Sequence, residues 1–216
     1  MQLKDLKNIP HGRILFLVDF ILPLPFTALM TYLWYRKTQN FEFTLFIMLL
    51  ALLFGYIVPG IGTNVLKMWT FTWKFMRAGN YFIHHGFMYA PYLAFSLYLS
   101  WGNWETLTFT HALAIAVSNT FLQCFLTTWH DYWAVKSGMI IIFNKPYREK
   151  KSAAEIIMDY GPLGYALFGL TYALSAIIAY FFLSGTVTGF ILLLVAGLSM
   201  MGATGLIYVW HEKKSA

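Results

Sequence analysis

Apolar residues occur in six long runs along the chain, and polar residues are concentrated in the segments between them. A helix needs about 20 apolar residues to cross a hydrocarbon core of roughly 30 Å, and each run meets that requirement. The pattern predicts an all-α integral membrane protein with a six-helix transmembrane bundle. Its helices are expected at Ile14–Tyr35, Phe43–Leu66, Phe82–Trp101, Leu107–Trp129, Leu163–Leu183 and Val187–Trp210.

The ends of these runs carry residues that are typical of membrane boundaries. Trp and Tyr residues are frequent there, and such amphipathic rings suit the headgroup region. The first run ends in Tyr35-Arg36-Lys37, is too long for the apolar region of a signal peptide and is not followed by a small-residue cleavage pattern. We therefore expect it to be a transmembrane helix.

The basic residues predict which side of the membrane each connection occupies. Arg36 and Lys37 lie in the first connection, and the two later connections on that side contain no Lys or Arg. By the positive-inside rule, the other side is cytoplasmic and holds both termini. The basic residues assigned to it are Lys4, Lys7, Arg13, Lys67, Lys74, Arg77, Lys136, Lys145, Arg148, Lys150, Lys151, Lys213 and Lys214.

The connections differ in length. The external turns at 102–106 and 184–186 are very short, so helices three and four, and helices five and six, should be antiparallel hairpins. The cytoplasmic 131–161 link is long enough for extra structure. Ser152 and Glu155 have capping-box spacing there, which predicts a short amphipathic helix. We expect residues 1–216 to form a single polytopic membrane domain.

Composition excludes several classes of protein. The chain is 59% hydrophobic and only 11% charged, whereas a soluble domain is about a quarter charged. This composition excludes disorder and disfavours a water-soluble monomer. The net charge of +6 is explained by topology, so no nucleic-acid partner is expected. The single cysteine, Cys124, cannot form an intramolecular disulfide. We expect a bacterial-type inner or plasma membrane location.

Several residues in the runs are costly to place against lipid. Asp19 lies inside helix one and is followed by Pro23 and Pro25, which are expected to kink the helix and open space beside the carboxylate. Helix three begins with the adjacent histidines His84 and His85. Each of these polar groups could instead be paired structurally at the boundary.

Two further helices contain unusual segments. Residues 59–64 include one proline and two glycines, which favours a local break or a plain kink in helix two. On helix four, Asn119, Gln123, Thr127 and His130 fall on one face, and Asp131 follows directly. Such a stripe serves either as hydrogen-bonded contact between helices or as the wall of a wet cavity.

By topology, six ionisable residues share the depth of the cytoplasmic boundary, and this convergence is the candidate functional signal. We predict catalytic roles for His84, His85, His130, Asp131, Asp159 and Asp19. We predict substrate contacts by Arg77, Lys136, Asn119, Gln123 and Thr127, with the two basic residues holding an anionic head group.

Three functions are compatible with this pattern of residues. The first is a membrane enzyme for a lipid or isoprenoid-like substrate, with either His/Asp acid–base chemistry or a divalent metal held by His84, His85, His130 and Asp131. The second is a small-solute or proton transporter or channel. The third is a b-haem protein, with His84 or His85 and His130 as axial ligands, or an accessory subunit of a membrane complex. The expected partners are membrane lipids and a lipid-soluble small molecule, and a homo-oligomer or membrane-complex partner is left open.

Overall fold

A computed structural model describes Asp5, Ile9 and residues 11–103 and 106–215, and for 208–215 it describes only the backbone. The protein is mostly helical (76%). A π-helical turn follows the first helix at Leu17–Ile21, and another follows the third at Ile61–Val65. The helices are α1 (Gly12–Phe16), α2 (Pro23–Thr38), α3 (Phe41–Gly60), α4 (His85–Trp101), α5 (Phe109–Lys136), α6 (Lys145–Arg148), α7 (Ala153–Met158), α8 (Gly161–Phe182) and α9 (Val187–Ser215).

Several helical stretches are long and apolar enough to cross a membrane, as expected for a multi-pass membrane protein. Among the described residues, four qualify, at Phe41–Val65, Phe109–Lys136, Ala153–Phe182 and Val187–Ile207. A fifth qualifies if Gly12–Ile21 and Pro23–Thr38, which are bent by 45°, form one span. Helix α4 has 17 residues, fewer than the roughly 20 of a typical crossing. The count of six and the side of the termini therefore stay predictions.

Two short antiparallel strand pairs were not predicted. Strand β1 (Trp69–Phe71) pairs with β4 (Ile140–Ile142), which joins the α3–α4 connection to the α5–α6 connection. Strands β2 (Arg77–Ala78) and β3 (Tyr81–Phe82) form a hairpin. Each strand has only two or three residues, too few for the periodicity of a strand to stand out in an apolar sequence.

The buried side chains form two clusters. The larger lies among the long helices and includes Trp34, Phe46 and Tyr172. The smaller surrounds the β1–β4 pair and includes Phe71 and Met139. Residues from both clusters line one cavity, which therefore lies where the helical bundle meets the strand-containing connections.

Helices α3 and α4 approach each other closely at two glycines. A Cβ atom on Gly86 would lie 2.6 Å from the carbonyl oxygen of Leu52, and a Cβ on Gly55 would lie 2.7 Å from the Cβ of Tyr89. This contact sets the start of α4 against α3. It fixes the position of His85, which directly precedes Gly86.

The predicted helix in the 131–161 link is present as α7. Its capping box is complete, since the Ser152 side chain accepts from the Glu155 N–H and the Glu155 carboxylate accepts from the Ser152 N–H. Ile156 and Ile157 are buried, whereas Glu155 is exposed, so the helix is amphipathic. Some boundary residues of the sequence analysis lie outside the described residues or side chains, namely Lys4, Lys7, Trp104, Glu105, Trp210, Lys213 and Lys214.

Candidate functional site

The predicted kink in the first span leaves two backbone carbonyl groups without their α-helical hydrogen bonds. Leu22 donates its N–H to the Leu17 carbonyl at 2.8 Å, a π-type hydrogen bond that leaves the Val18 carbonyl without its α-helical donor. The α-helical donor for the Asp19 carbonyl would be the nitrogen of Pro23, which carries no hydrogen. The bend therefore exposes two backbone acceptors beside the Asp19 side chain.

Side chains of the α4 region satisfy both acceptors. Tyr92 donates its hydroxyl to the Val18 carbonyl at 2.8 Å, and Nε2 of His84 lies 3.0 Å from the Asp19 carbonyl oxygen. Because a carbonyl only accepts, His84 carries its proton on Nε2. Burial lowers the pKa of His84, which precedes the helix that begins at His85, and the Asp19 contact partly offsets this shift. His84 thus acts as a neutral donor that fixes the bend.

The side chain of Asp19 meets the end of the polar stripe on α5. Its Oδ1 lies 2.9 Å from Nε2 of His130, and Nδ1 of the same ring lies 3.1 Å from Oδ1 of Asp131. The Asp19 side chain is 2% accessible, whereas that of His130 is 30% accessible. One imidazole therefore bridges two carboxylates from different helices. We refer to Asp19, His130 and Asp131 as the carboxylate–imidazole network.

Two tyrosines of the α8 region hold the far carboxylate of this network. The hydroxyl of Tyr160 donates to Oδ2 of Asp131 at 2.9 Å, and the hydroxyl of Tyr165 donates to the same oxygen. Charge-assisted hydrogen bonds of this kind are among the stronger ones in proteins. Neither tyrosine could be recognised as a site residue from the sequence, because tyrosine is common throughout the chain and their five-residue spacing marks no helical face.

The geometry places one proton in each of the two contacts of His130. Each ring nitrogen of His130 faces a carboxylate oxygen, and each contact needs one hydrogen between the two atoms. An imidazolium between two carboxylates satisfies this, as does a neutral imidazole between one carboxylic acid and one carboxylate. Both arrangements contain two protons and, with Oδ2 of Asp19 unprotonated, have a net charge of −1. The network is therefore a proton-sharing unit that carries one negative charge.

The network forms part of the wall of a large cavity. This cavity has a volume of about 820 Å³ and reaches from the α1 bend to α9, between α3, α4, α5 and α8. Asp19, His85, His130 and Asp131 all line it. Most of the remaining wall consists of aromatic and aliphatic side chains. An apolar cavity of this size with a few polar groups on one wall is typical of a small-molecule site.

Three polar atoms on residues that line this cavity are buried and find no hydrogen-bond partner among the described residues. They are Oδ2 of Asp19 and both ring nitrogens of His85. His85 is 1% accessible and is surrounded by the rings of Phe71, Tyr81, Phe82 and Tyr89. Buried polar groups nearly always have partners in native proteins. These atoms therefore indicate where a bound molecule would place polar groups.

The polar stripe on α5 combines the two roles that the sequence left open, contact between helices and part of the cavity wall. Asn119 is fully buried, accepts from Ser96 Oγ at 2.8 Å and donates to the Gly169 carbonyl at 2.7 Å, so it holds α4, α5 and α8 together. Gln123 donates to Ser96 Oγ at 2.5 Å and accepts from Thr127 at 3.0 Å. Gln123 and Thr127 also line the cavity, whereas Asn119 does not.

Three of the predicted site residues lie elsewhere. Asp159 accepts from Nδ2 of Asn144 at 3.0 Å and connects the α7 region to the start of α6. The Arg77 guanidinium donates to backbone carbonyls, including those of Trp73 at 3.1 Å and Gly79 at 2.9 Å. The Lys136 ammonium lies 4.9 Å from the ring of Trp133 and lines a separate cavity of about 730 Å³. None of the three lines the cavity that holds the carboxylate–imidazole network.

The residues considered for a metal do not form a ligand set. Among the described residues, no group of three or more His, Cys, Asp or Glu side chains is arranged to hold a metal ion. Both ring nitrogens of His130 face carboxylates, so neither is free to ligate a metal or a haem iron. The arrangement fits proton transfer better than ligation.

Comparison of the chain with protein-family models, curated proteins and solved structures finds no match. A functional assignment therefore depends on the geometry and chemistry of the site itself.

Proposed function

We propose that the protein is a multi-pass membrane enzyme that acts on a lipid-soluble substrate by acid–base chemistry. One observation carries the proposal: Oδ2 of Asp19, a buried carboxylate oxygen without a hydrogen-bond partner among the described residues, belongs to a proton-sharing network beside an apolar cavity. Buried acids and bases that are coupled to one another in a cleft are typical of catalytic sites. A role in lipid metabolism follows from the apolar wall of the cavity.

The three members of the network have different roles in this proposal. Asp19 is the catalytic residue, because its free Oδ2 can take a proton from the polar end of the substrate. His130 stays hydrogen-bonded to Oδ1 and offsets the negative charge of the carboxylate before transfer. Asp131, held by Tyr160 and Tyr165, is a positioning residue that fixes the orientation of the imidazole.

The proposed topology places this chemistry at the cytoplasmic boundary. In it, six helices cross the membrane, α4 being the shortest, and both termini are cytoplasmic in a plasma or bacterial-type inner membrane. The thirteen basic residues on the predicted cytoplasmic side support it. Reporter fusions at Asn103 and Gly185 should be active only in the external compartment, and a cytoplasmic signal at either position would contradict this topology.

Lipid conversion tests the enzymatic function. Purified wild-type protein and His130→Ala are incubated with a total lipid extract of the source membrane, and the lipids are compared by mass spectrometry. We expect one lipid class to decrease and a product to appear with wild type but not with His130→Ala. His111→Ala is the control, because His111 lies at the opposite end of α5, in the capping box with Thr108.

Two results would contradict the enzymatic function. One is an unchanged lipid profile with folded wild-type protein. The other is equal conversion by wild type and His130→Ala. A proton current in proteoliposomes that depends on His130, together with an unchanged lipid profile, would favour the transporter instead.

A further inference from the structure

The cavity that contains the network has a distinct electrostatic character. Among the described residues that line it there is no Lys or Arg, although the chain has 15 of these residues. The ionisable groups that do line it include Asp19, Asp131 and His130, whose network carries a net charge of −1. The basic residues once expected to hold an anionic head group, Arg77 and Lys136, are engaged elsewhere. An anionic head group would be repelled here without compensation.

The buried polar atoms without partners specify what a ligand must offer. A carboxylate oxygen such as Oδ2 of Asp19 only accepts hydrogen bonds, so it needs a donor. A neutral imidazole such as that of His85 has one N–H donor and one acceptor nitrogen. A hydroxyl group donates its hydrogen to Oδ2 of Asp19 and offers a lone pair to the His85 N–H, so it pairs two of these three atoms. An ammonium group has three donors and no acceptor, so it would leave the His85 N–H unpaired.

The rest of the cavity specifies the body of the ligand. Its volume of about 820 Å³ lies within the range of roughly 300–1,000 Å³ for small-molecule pockets. Rings such as those of Phe54, Tyr89 and Phe168 line it, and they offer apolar surface to a hydrocarbon chain. A branched or unsaturated chain of isoprenoid type would pack against these aromatic rings.

We infer that the cavity binds an uncharged lipid alcohol, whose hydroxyl donates to Oδ2 of Asp19 and whose polar end is also hydrogen-bonded by His85. This inference deepens the proposed function, since it names the substrate class of the same site. It concerns binding, however, and can be tested without any knowledge of the reaction.

A series of ligands with one hydrocarbon chain tests the inference. Farnesol, farnesyl phosphate, farnesylamine and farnesyl methyl ether share a 15-carbon chain and differ only in the head group. Their dissociation constants are measured with the full-length protein in nanodiscs by quenching of its tryptophan fluorescence, because Trp69, Trp129 and Trp133 line the cavity. We expect farnesol to bind about tenfold more tightly than farnesyl methyl ether, as expected for a hydrogen bond to a charged group. It should also bind more tightly than the phosphate, which the network repels, and than the amine, which leaves the His85 N–H unpaired.

Two variants assign the selectivity to named residues. Asp19→Asn should weaken farnesol binding about tenfold and leave farnesyl methyl ether binding unchanged, because the ether has no hydroxyl hydrogen to donate. His85→Phe keeps an aromatic ring in the cage but removes both ring nitrogens, and it should also weaken farnesol binding. Asp159→Asn is the control, since Asp159 does not line the cavity, and it should bind all four ligands as wild type does.

The outcomes separate this inference from the proposed enzymatic function. Tighter binding of the phosphate or the amine, or equal binding of all four ligands by folded wild-type protein, would overturn the inference. Selective farnesol binding that both Asp19→Asn and His85→Phe weaken would support it, even if no lipid is converted. His130-dependent conversion of an anionic lipid would support the proposed enzymatic function, but it would contradict the inference that the ligand is an uncharged lipid alcohol.

Discussion

His130 and Asp19 are 111 residues apart in the sequence, yet Nε2 of His130 lies 2.9 Å from Oδ1 of Asp19. Two local features bring them together. The bend before Pro23 turns Asp19 inward, and the polar face of α5 ends at His130. The contact joins the first span to the fourth predicted one. It turns two separately costly polar groups into one paired unit.

Pro23 is expected to be essential for the position of Asp19. Pro23→Ala restores an N–H that can donate to the Asp19 carbonyl, so the helix should straighten and move the carboxylate away from His130. The rate of lipid conversion should fall at least about tenfold, because misplacement of a catalytic group by about 1 Å is costly. Pro146→Ala in α6 is the control and should keep the rate. An unchanged rate with Pro23→Ala would show that the bend is not needed.

Tyr165 is expected to support activity through Asp131. Tyr165→Phe keeps the ring but removes the hydroxyl that donates to Asp131, so His130 should lose its fixed orientation. We expect the rate to fall about tenfold, which corresponds to a lost hydrogen bond of about 1.4 kcal/mol. Tyr172→Phe on the same helix is the matched control, since Tyr172 donates to the Ile47 carbonyl away from the site. Equal rates for the two variants would show that the Tyr165–Asp131 hydrogen bond does not support activity.

The close approach of α3 and α4 should make Gly86 important for stability. A Cβ at this position would lie 2.6 Å from the Leu52 carbonyl oxygen, so Gly86→Ala must push the helices apart. We expect a destabilisation of about 1–3 kcal/mol, measured by thermal unfolding in detergent. Gly202→Ala should have little effect, since a Cβ there meets nothing within 4 Å. A wild-type midpoint for Gly86→Ala would show that α4 does not pack as described.

Chemical labelling should distinguish the part of the α5 stripe that lines the cavity from the part that is buried between helices. Cysteines are introduced singly at Asn119, Thr127 and Phe121, after removal of the half-buried Cys124. A small water-soluble thiol reagent should label Thr127→Cys, which lines the cavity, but not the fully buried Asn119→Cys. The wild-type Phe121 side chain is 70% accessible but faces away from the bundle, so lipid should protect Phe121→Cys from the reagent. Protection of Thr127→Cys would indicate that the cavity excludes water.

The sequence predicted the helices and part of the site, for different physical reasons. Long apolar runs and the capping box at Ser152 are local signals, so the positions of the helices and of α7 could be predicted. The cost of Asp19 in an apolar run correctly indicated that it needs a polar partner. Equal depth, however, does not specify rotation about a helix axis. Asp159 shares the boundary with Asp131, but its carboxylate bonds Asn144 instead.

Other features depend on contacts that no local pattern contains. The β1–β4 pair joins residues about 70 positions apart through two three-residue strands, as in the Trp69–Ile142 pairing. Arg77 was expected to hold a substrate, but the hairpin it belongs to supplies carbonyl acceptors for its guanidinium. The role of Tyr165 also appears only when α8 packs against α5.

The two contacts of His130 place it to share protons with both Asp19 and Asp131. Nitrogen-15 NMR of histidine-labelled protein in lipid bilayers tests this directly, with the His130 signals assigned by their loss in His130→Ala. We predict that both His130 nitrogens give hydrogen-bonded signals, that Asp19→Asn shifts the Nε2 signal most strongly, and that Asp159→Asn shifts neither. A signal from a free, unprotonated His130 nitrogen in the wild-type protein, or no response to Asp19→Asn, would contradict the account.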